Sequence, residues 1–288
     1  RGRVTPRRYN RRMPFSRRKL LQGAGALGVV ALLGGCLPKA RGAQTYAVEM
    51  VDVFFDPIGL VLERGDTVVW LEASEKTEMR HTATAYHPDF DKRLRIPEAA
   101  PAWNSGVLPE LGQPWSHTFE HAGVHDYFCT PHEDQGMVGR LLVETPSGPG
   151  AQPLDVGVSL AGQSVMPFVE ELQGPVGEVF NVLGRLNATL LPWRRDDPGA
   201  ALARWGELRR EAEGLLPRFI QRLSATQTAR VRDELGALDA ALRGAPDVFH
   251  ALEAVDAFKV MLEQLAYQTS GRRSARYAAR NAVSSRLT

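Results

Sequence analysis

Within nine residues, Cys129-Thr130-Pro131-His132-Glu133-Asp134-Gln135-Gly136-Met137 brings together a thiol, an imidazole and a thioether. Two imidazoles and one thiolate in a plane, with a long and weak thioether contact, hold copper in either oxidation state with little rearrangement, which suits passing an electron rather than making a bond. The loop offers three of those four donors, so a second His must come from elsewhere. The chain has two cysteines, Cys36 and Cys129, in unlike settings, and no disulfide framework is expected. A lone Cys is most often a small buried hydrophobe. His132 and Met137 at these offsets favour ligation instead.

Positioning such a loop takes rigid elements on both sides. Short runs separated by turn signals read as strands at Tyr46 to Val53, Gly59 to Leu62, Thr67 to Leu71, Thr82 to Ala85, Trp115 to Phe119, Val124 to Cys129 and Met137 to Val143. About 100 residues of this kind imply a β-sandwich with Greek-key connections. The stretch from Pro88 to Gln113, rich in Pro and charge, reads as loop with one helical turn. After Thr145-Pro146-Ser147-Gly148-Pro149-Gly150-Ala151-Gln152-Pro153, a linker by composition, the period becomes helical. Leu172, Val176, Val179, Leu183, Leu186 and Leu190 recur at three and four, and further runs follow around Trp205, Leu235 and Leu262. Four amphipathic segments joined by short connections imply an antiparallel bundle. The fold class is therefore multidomain: an all-β Greek-key sandwich, then an all-α bundle.

Seven His could supply the missing donor: His81, His87, His117, His121, His125, His132 and His250. His81 is the best placed, because it follows the strand ending at Trp70-Leu71 and opens the strand-like run His81-Thr82-Ala83-Thr84-Ala85-Tyr86. The rival set His117, His121 and His125 is spaced by four, which lines one face of a helix. Trp115 to Phe119 alternates, His121-Ala122-Gly123 is a turn and Val124 to Phe128 reads as strand, so that spacing does not become helical geometry. His87 is a neighbour or surface residue, and His250 has no partner at ligand spacing.

Phe55-Asp56-Pro57, Gly65-Asp66-Thr67-Val68-Val69-Trp70, His81-Thr82-Ala83-Thr84-Ala85, Gly123-Val124-His125-Asp126-Tyr127-Phe128-Cys129 and Gly136-Met137-Val138-Gly139 occur in this order. In these motifs the chain resembles the plastocyanin, pseudoazurin and halocyanin family of small blue-copper cupredoxins. The resemblance covers about 100 residues and stops at Thr145. It implies one type 1 copper, with His81, Cys129 and His132 in the trigonal plane and Met137 axial. It also implies that His132, the ligand nearest solvent, is the electron port, with Glu133 and Asp134 putting acid at its edge. Pro131 has no N–H to offer the sulfur, and one donor fewer lowers the potential.

Residues 1 to 19 carry nine basic residues and no acid, and an apolar run follows from Leu20 to Gly35. This suits a signal peptide and is short of the ~20 apolar residues of a spanning helix. Ser16-Arg17-Arg18-Lys19-Leu20-Leu21 resembles a twin-arginine (Tat) export signal, and Leu33-Gly34-Gly35-Cys36 a lipoprotein cleavage site. Together they imply lipidation of Cys36 and a membrane-anchored protein on the periplasmic or extracellular face. The resulting divisions are a signal peptide at 1–35, a lipid-anchored tether at 36–43, a copper domain at 44–145, a linker at 146–155, a helical bundle at 156–270 and a basic tail at 271–288.

The net charge of +2 hides an acidic chain. Nine of 35 basic residues precede Cys36, leaving 26 against 33 acids, a balance of −7; residues 44–145 carry 7 basic and 17 acidic residues. Nucleic acid is excluded as a partner on that balance, and basic redox proteins are favoured through steering. An enzyme built on several coppers would need His-x-His pairs, and a binuclear centre a second Cys in the loop; the sequence has neither. The expectation is a non-enzymatic one-electron carrier acting on redox proteins, without a small-molecule substrate. The competing reading is a copper store, sensor or scaffold whose helical half binds the main partner.

Overall fold

The computed structural model of the chain describes residues 41–74, 80–108, 113–191, 197–215, 217–245 and 248–270. The signal, the lipidation site at Cys36 and the basic tail lie outside the described residues. Two four-stranded sheets face each other. One is ordered β2-β1-β4-β6 and uses Thr45–Val51 (β1), Phe54–Asp56 (β2), Thr67–Glu72 (β4) and Pro114–Thr118 (β6). The other is ordered β3-β8-β7-β5 and uses Gly59–Leu62 (β3), Thr84–Ala85 (β5), Gly123–Phe128 (β7) and Val138–Val143 (β8). The parallel pairs β1 with β4 and β3 with β8 require crossovers between the sheets, which makes this a sandwich rather than a meander.

The predicted strands are present, with two differences. The chain turns at Asp52, whose φ of 49° lies in the left-handed region, which ends β1 at Val51 instead of Val53, and it adds the short strand β2, which was not among the expected strands. The run from Thr82 becomes strand only at Thr84. The loop expected after Pro88 does hold one helical turn, Pro88–Phe90, and then re-enters the core with Ile96 and Trp103. Trp103 packs on Trp70 at 5.2 Å between ring centroids, beside Phe119 and Tyr127, and this aromatic cluster fills the sandwich.

The helical half follows in order: Leu160–Val165 (α1), Val169–Leu172 (α2), Pro175–Leu190 (α3), Pro198–Leu215 (α4), Pro217–Gln221 (α5), Ala225–Gly244 (α6) and Val248–Ser270 (α7). Among the described residues no helix is long and apolar enough to cross a membrane. The bundle does not hang free of the sandwich. One apolar core contains Ile58, Val124 and Leu142 of the β half together with Val176, Val179, Phe180, Leu183, Leu186, Phe258 and Leu262 of the helices. Each such buried side chain contributes about 1.5–3 kcal/mol, too much in sum for a loose contact between independent units. The described residues from 42 onward accordingly form one compact unit.

Helix α3 sits where the sandwich is open. Its Asn181 donates to Val61 O at 2.7 Å and accepts from Val61 N at 2.8 Å, capping edge strand β3. Asn187 donates to Asp56 O at 2.8 Å, on edge strand β2. Covering sheet edges in this way removes sites for unwanted strand pairing. The approach is close: a Cβ on Gly184 would meet Leu60 Cδ2 at 2.8 Å.

The stretch read as a linker, 146–155, is likewise fixed. Buried Arg95 donates to the carbonyls of Gly150, Gln152, Pro153 and Val156 at 2.7–3.0 Å, while its Nε holds Asp126 at 2.7 Å. Arg140 grips the other oxygen of Asp126 at 2.7 Å. Proline and glycine here mark a turn that an arginine clamps, not a hinge.

Candidate metal centre

Strand β7 runs directly into the ligand loop, and backbone bonds close that loop at both ends. The Cys129 N–H donates to Met137 O at 3.0 Å, and the Met137 N–H to His132 O at 3.1 Å. Between them a single 3-10 turn, Glu133–Gln135, ends at Gly136 with φ 91°. A left-handed residue there reverses the chain, and glycine does so without Cβ strain. Cys129 and Met137 are fully buried, whereas His132 is partly exposed.

The His81 segment is fastened to the loop. The Thr82 N–H points at Cys129 Sγ at 3.4 Å, and Thr82 Oγ1 accepts the Thr130 N–H at 2.8 Å. Leu108 N donates to His81 O at 3.0 Å, holding the same segment from its other side. As a result the His81 and His132 rings lie 5.0 Å apart, and His132 Nδ1 is 3.5 Å from Cys129 Sγ. His81, Cys129 and His132 are therefore brought together, with buried Met137 closing the loop behind them.

Both nitrogens of His81 are engaged. Nε2 faces Asp52 O at 2.5 Å, and Nδ1 faces the Glu72 carboxylate at 2.8 Å and 3.0 Å. The sequence reading did not single out Glu72. Its one signal was an acid closing the apolar strand run Val68-Val69-Trp70-Leu71. With Nδ1 on Glu72, no group of three or more His, Cys, Asp or Glu side chains among the described residues stands ready-made around a metal ion. The donor chemistry nevertheless fits copper: a buried free thiol, a buried thioether and two imidazoles on one short loop and its neighbour.

Without a metal ion, burial keeps the Cys129 sulfur in its neutral, protonated form. Burial pushes Cys129 up to about 11, against the opposing pull of the Thr82 and His132 hydrogen bonds. Metal uptake must therefore displace its proton. Burial also lowers His132, with His81 beside it acting in the same direction.

Glu133 is not the exposed acid the sequence suggested. It is buried, accepts the Tyr86 hydroxyl at 2.8 Å and pairs with Lys92 at 2.5 Å. Burial first, then the Glu133 charge, drives the Tyr86 hydroxyl far above its ordinary value. Asp134 alone of the two acids is exposed beside His132. The helical half also reaches the loop: Ser159 Oγ donates to Glu133 O at 3.0 Å, and a Cβ on Gly136 would meet Ala161 O at 3.3 Å. Leu160, next to both, is 85% exposed.

The other His do not assemble. His117 on β6 stacks on Trp103 and Trp115, and burial lowers its basicity. His125 on β7 donates to His121 O at 2.9 Å. His87 Nδ1 accepts the Asp89 N–H at 3.1 Å, and His250 is exposed on α7.

Residues 43–144 match the copper binding proteins of the plastocyanin/azurin family. A plastocyanin from Synechococcus sp. (strain JA-2-3B'a(2-13)) is 30% identical over 124 residues, which is 41% of this chain and 87% of that protein. A halocyanin from Natronomonas pharaonis is 31% identical over 90 residues, 31% of this chain and 48% of its own length. Among solved structures, a pseudoazurin from Methylobacterium extorquens AM1 aligns at 23% identity over 46% of this chain and 96% of its own, with a TM-score of 0.33.

Proposed function

Since this chain belongs, through residues 43–144, to the plastocyanin/azurin family of copper-binding proteins, we propose that it is a membrane-tethered one-electron carrier whose ion is held by His81, Cys129, His132 and Met137. The cofactor of the family is copper, one type 1 ion in each cupredoxin domain, and it supplies the one-electron couple. The observation that carries the assignment to these residues is the doubly closed loop, with Cys129 Sγ 3.5 Å from His132 Nδ1 and the His81 ring 5.0 Å from that of His132.

The protein's own part is mechanical and electrostatic. Backbone bonds at both ends of the loop hold the donors against rearrangement when the charge changes. Complete burial of Cys129, His81 and Met137 excludes water, and partial exposure of His132 leaves one route for the electron. The Thr82 N–H stabilises negative charge on the sulfur. Partners would be redox proteins, with basic ones favoured by the acidic balance. Export with a lipid at Cys36 is part of the same proposal and is supported by the order of the two N-terminal motifs.

Optical and EPR spectra of the Cu(II)-loaded protein test it. Strong thiolate charge transfer at roughly 600 nm is expected. His81→Ala should abolish or drastically alter that band, and His117→Ala should leave it intact. A folded, Cu(II)-loaded protein lacking the band would overturn the assignment.

A further inference from the structure

Helix α1 belongs by chain position to the helical half, yet it touches the ligand loop at the residues beside two of the proposed donors. Glu133 follows His132, and its carbonyl accepts the Ser159 hydroxyl at 3.0 Å. Gly136 precedes Met137, and a Cβ there would meet Ala161 O at 3.3 Å and Val165 Cγ2 at 3.6 Å. Val138 follows Met137, and a Cβ on Gly162 would meet Val138 Cγ1 at 3.0 Å. The contacts span the whole turn from His132 to Met137.

Resting on the copper reading above, we propose that α1 braces the copper loop and that Ser159 is its positioning residue, keeping His132 and Met137 in place when the ion changes charge. Three observations carry this. The Ser159 hydroxyl is itself fixed, because it accepts the Gly162 N–H at 3.1 Å, which caps α1 and leaves its one proton for Glu133 O. Glu133 O is also the carbonyl that takes the Gly136 N–H at 2.9 Å and ends the turn, so helix and turn share one acceptor with two lone pairs. Lastly, the chain on either side of α1 is anchored behind the loop, where Leu154, Val158 and Met166 share an apolar core with Val138, Phe128 and Tyr86.

The loop's own backbone bonds set where its donors stand; the Ser159 bond ties the backbone between them to the body of the protein. Tyr86 and Lys92 also reach Glu133, but through its carboxylate and several rotatable side-chain bonds. Limiting the movement of a metal's ligands by bonds from outside the ligand set is a general means of tuning such centres. The frame of the copper centre therefore extends to Val165, past the boundary drawn at Thr145.

The test uses the full chain, first without metal. Amide hydrogen exchange at Gly136 and Met137 should be about threefold to tenfold faster in Ser159→Ala than in the wild type, the factor that one neutral hydrogen bond carries. Val124 and Leu142 in the sheet should keep their wild-type rates. Loaded with Cu(II), the same variant should release copper to EDTA faster, again about threefold to tenfold, and its EPR hyperfine lines should broaden. Ser159→Thr, which keeps the hydroxyl, should restore all three readouts. Loop exchange that is unchanged, or that speeds up equally in loop and sheet, would overturn the brace. Faster loop exchange with copper release and EPR unchanged would confine Ser159 to the fold and overturn its role at the centre. A wild type without the thiolate band would overturn the copper reading and Ser159's part in it, an outcome that the metal-free exchange keeps apart from failure of the brace. Should Ser159→Ala not fold, Val165→Ala, which withdraws the methyl facing Gly136, carries the same expectations and the same refutations.

Discussion

Two buried polar clusters in this molecule differ in the kind of group they gather. In the first, Lys259 Nζ of α7, fully buried, meets Asp56 Oδ2 at 2.7 Å, Asn187 Oδ1 at 3.0 Å and Glu49 Oε2 at 3.1 Å. An ammonium has three N–H donors, these three acceptors lie within hydrogen-bond reach of it, and Asp256 Oδ1 stands further off at 3.6 Å. The second gathers His81, Glu72, Cys129, His132 and Met137. There a thiol that burial pushes up to about 11 meets the Thr82 N–H at 3.4 Å and the His132 ring at 3.5 Å, and Met137 is a buried thioether, a weak acceptor at best. Paired charge holds α7 and α3 to β1 and β2. The thiol, thioether and imidazoles are instead the donor types that suit copper. The contrast separates architecture from chemistry better than burial does, since both clusters are buried.

The sharpest way to break this comparison is at Lys259. Lys259→Met removes the cation and leaves Glu49 and Asp56 buried beside one another. Breaking a buried pair from one side costs about 3–5 kcal/mol, and here two carboxylates lose one partner. Urea unfolding should show that loss, while the copper band of protein still folded should keep its position and intensity. A loss below about 1 kcal/mol, the size of an exposed ion pair, would mean that the cluster does not fasten the helices. A shifted copper band would mean that the two clusters are not separable.

His125 sharpens the comparison from another side, as a buried His outside both clusters. Burial lowers it to about 4, with the His121 carbonyl as a smaller opposing influence. The unfolded chain takes up a proton near 6.5, whereas the folded one refuses it until about 4. Stability is thus fully present above 6.5 and is lost as pH falls through that window, because the unfolded state binds more protons there. The full difference is about 3 kcal/mol at 1.36 kcal/mol per unit. Unfolding of the metal-free protein at neutral pH and at pH near the lower limit measures it, and His125→Phe should flatten the difference. An unchanged slope in the variant would place the proton uptake elsewhere.

The legible parts of the fold are those that neighbours in sequence determine. The ligand loop is local, so its donors stand out by type and spacing. His81 is found from the strand before it, and the helices show in their Leu spacing. Side chains that act across the chain are invisible at that level. Glu72 sits nine residues from the ring it faces and reads as the polar end of a strand. Asn187 and Lys259 interrupt apolar helix faces without any local sign that each answers the other. The Pro and Gly stretch at 146–155 looks free until Arg95 is seen to donate to four carbonyls around it. Glu133, read as port acidity from its place beside His132, is taken out of solvent by Tyr86 and Lys92, residues more than forty positions away.

That last pair gives the smallest and most local test. Tyr86→Phe deletes the hydroxyl that donates to Glu133 while leaving the ring packed against Phe128 at 4.8 Å between centroids. A hydrogen bond to a charged group is worth about 1.5–3 kcal/mol, and Lys92 still meets the other carboxylate oxygen, so the loss in urea unfolding should fall at the lower end. The ligands are positioned by the loop's own backbone bonds, Cys129 N to Met137 O and Met137 N to His132 O, neither of which involves Tyr86. The thiolate band and the EPR splitting should therefore stay where they are in the wild type. If Tyr86→Phe moves them, the loop is held from the Glu133 side as much as by its own closure, and the ligand cluster would share its scaffold with Tyr86 and Lys92.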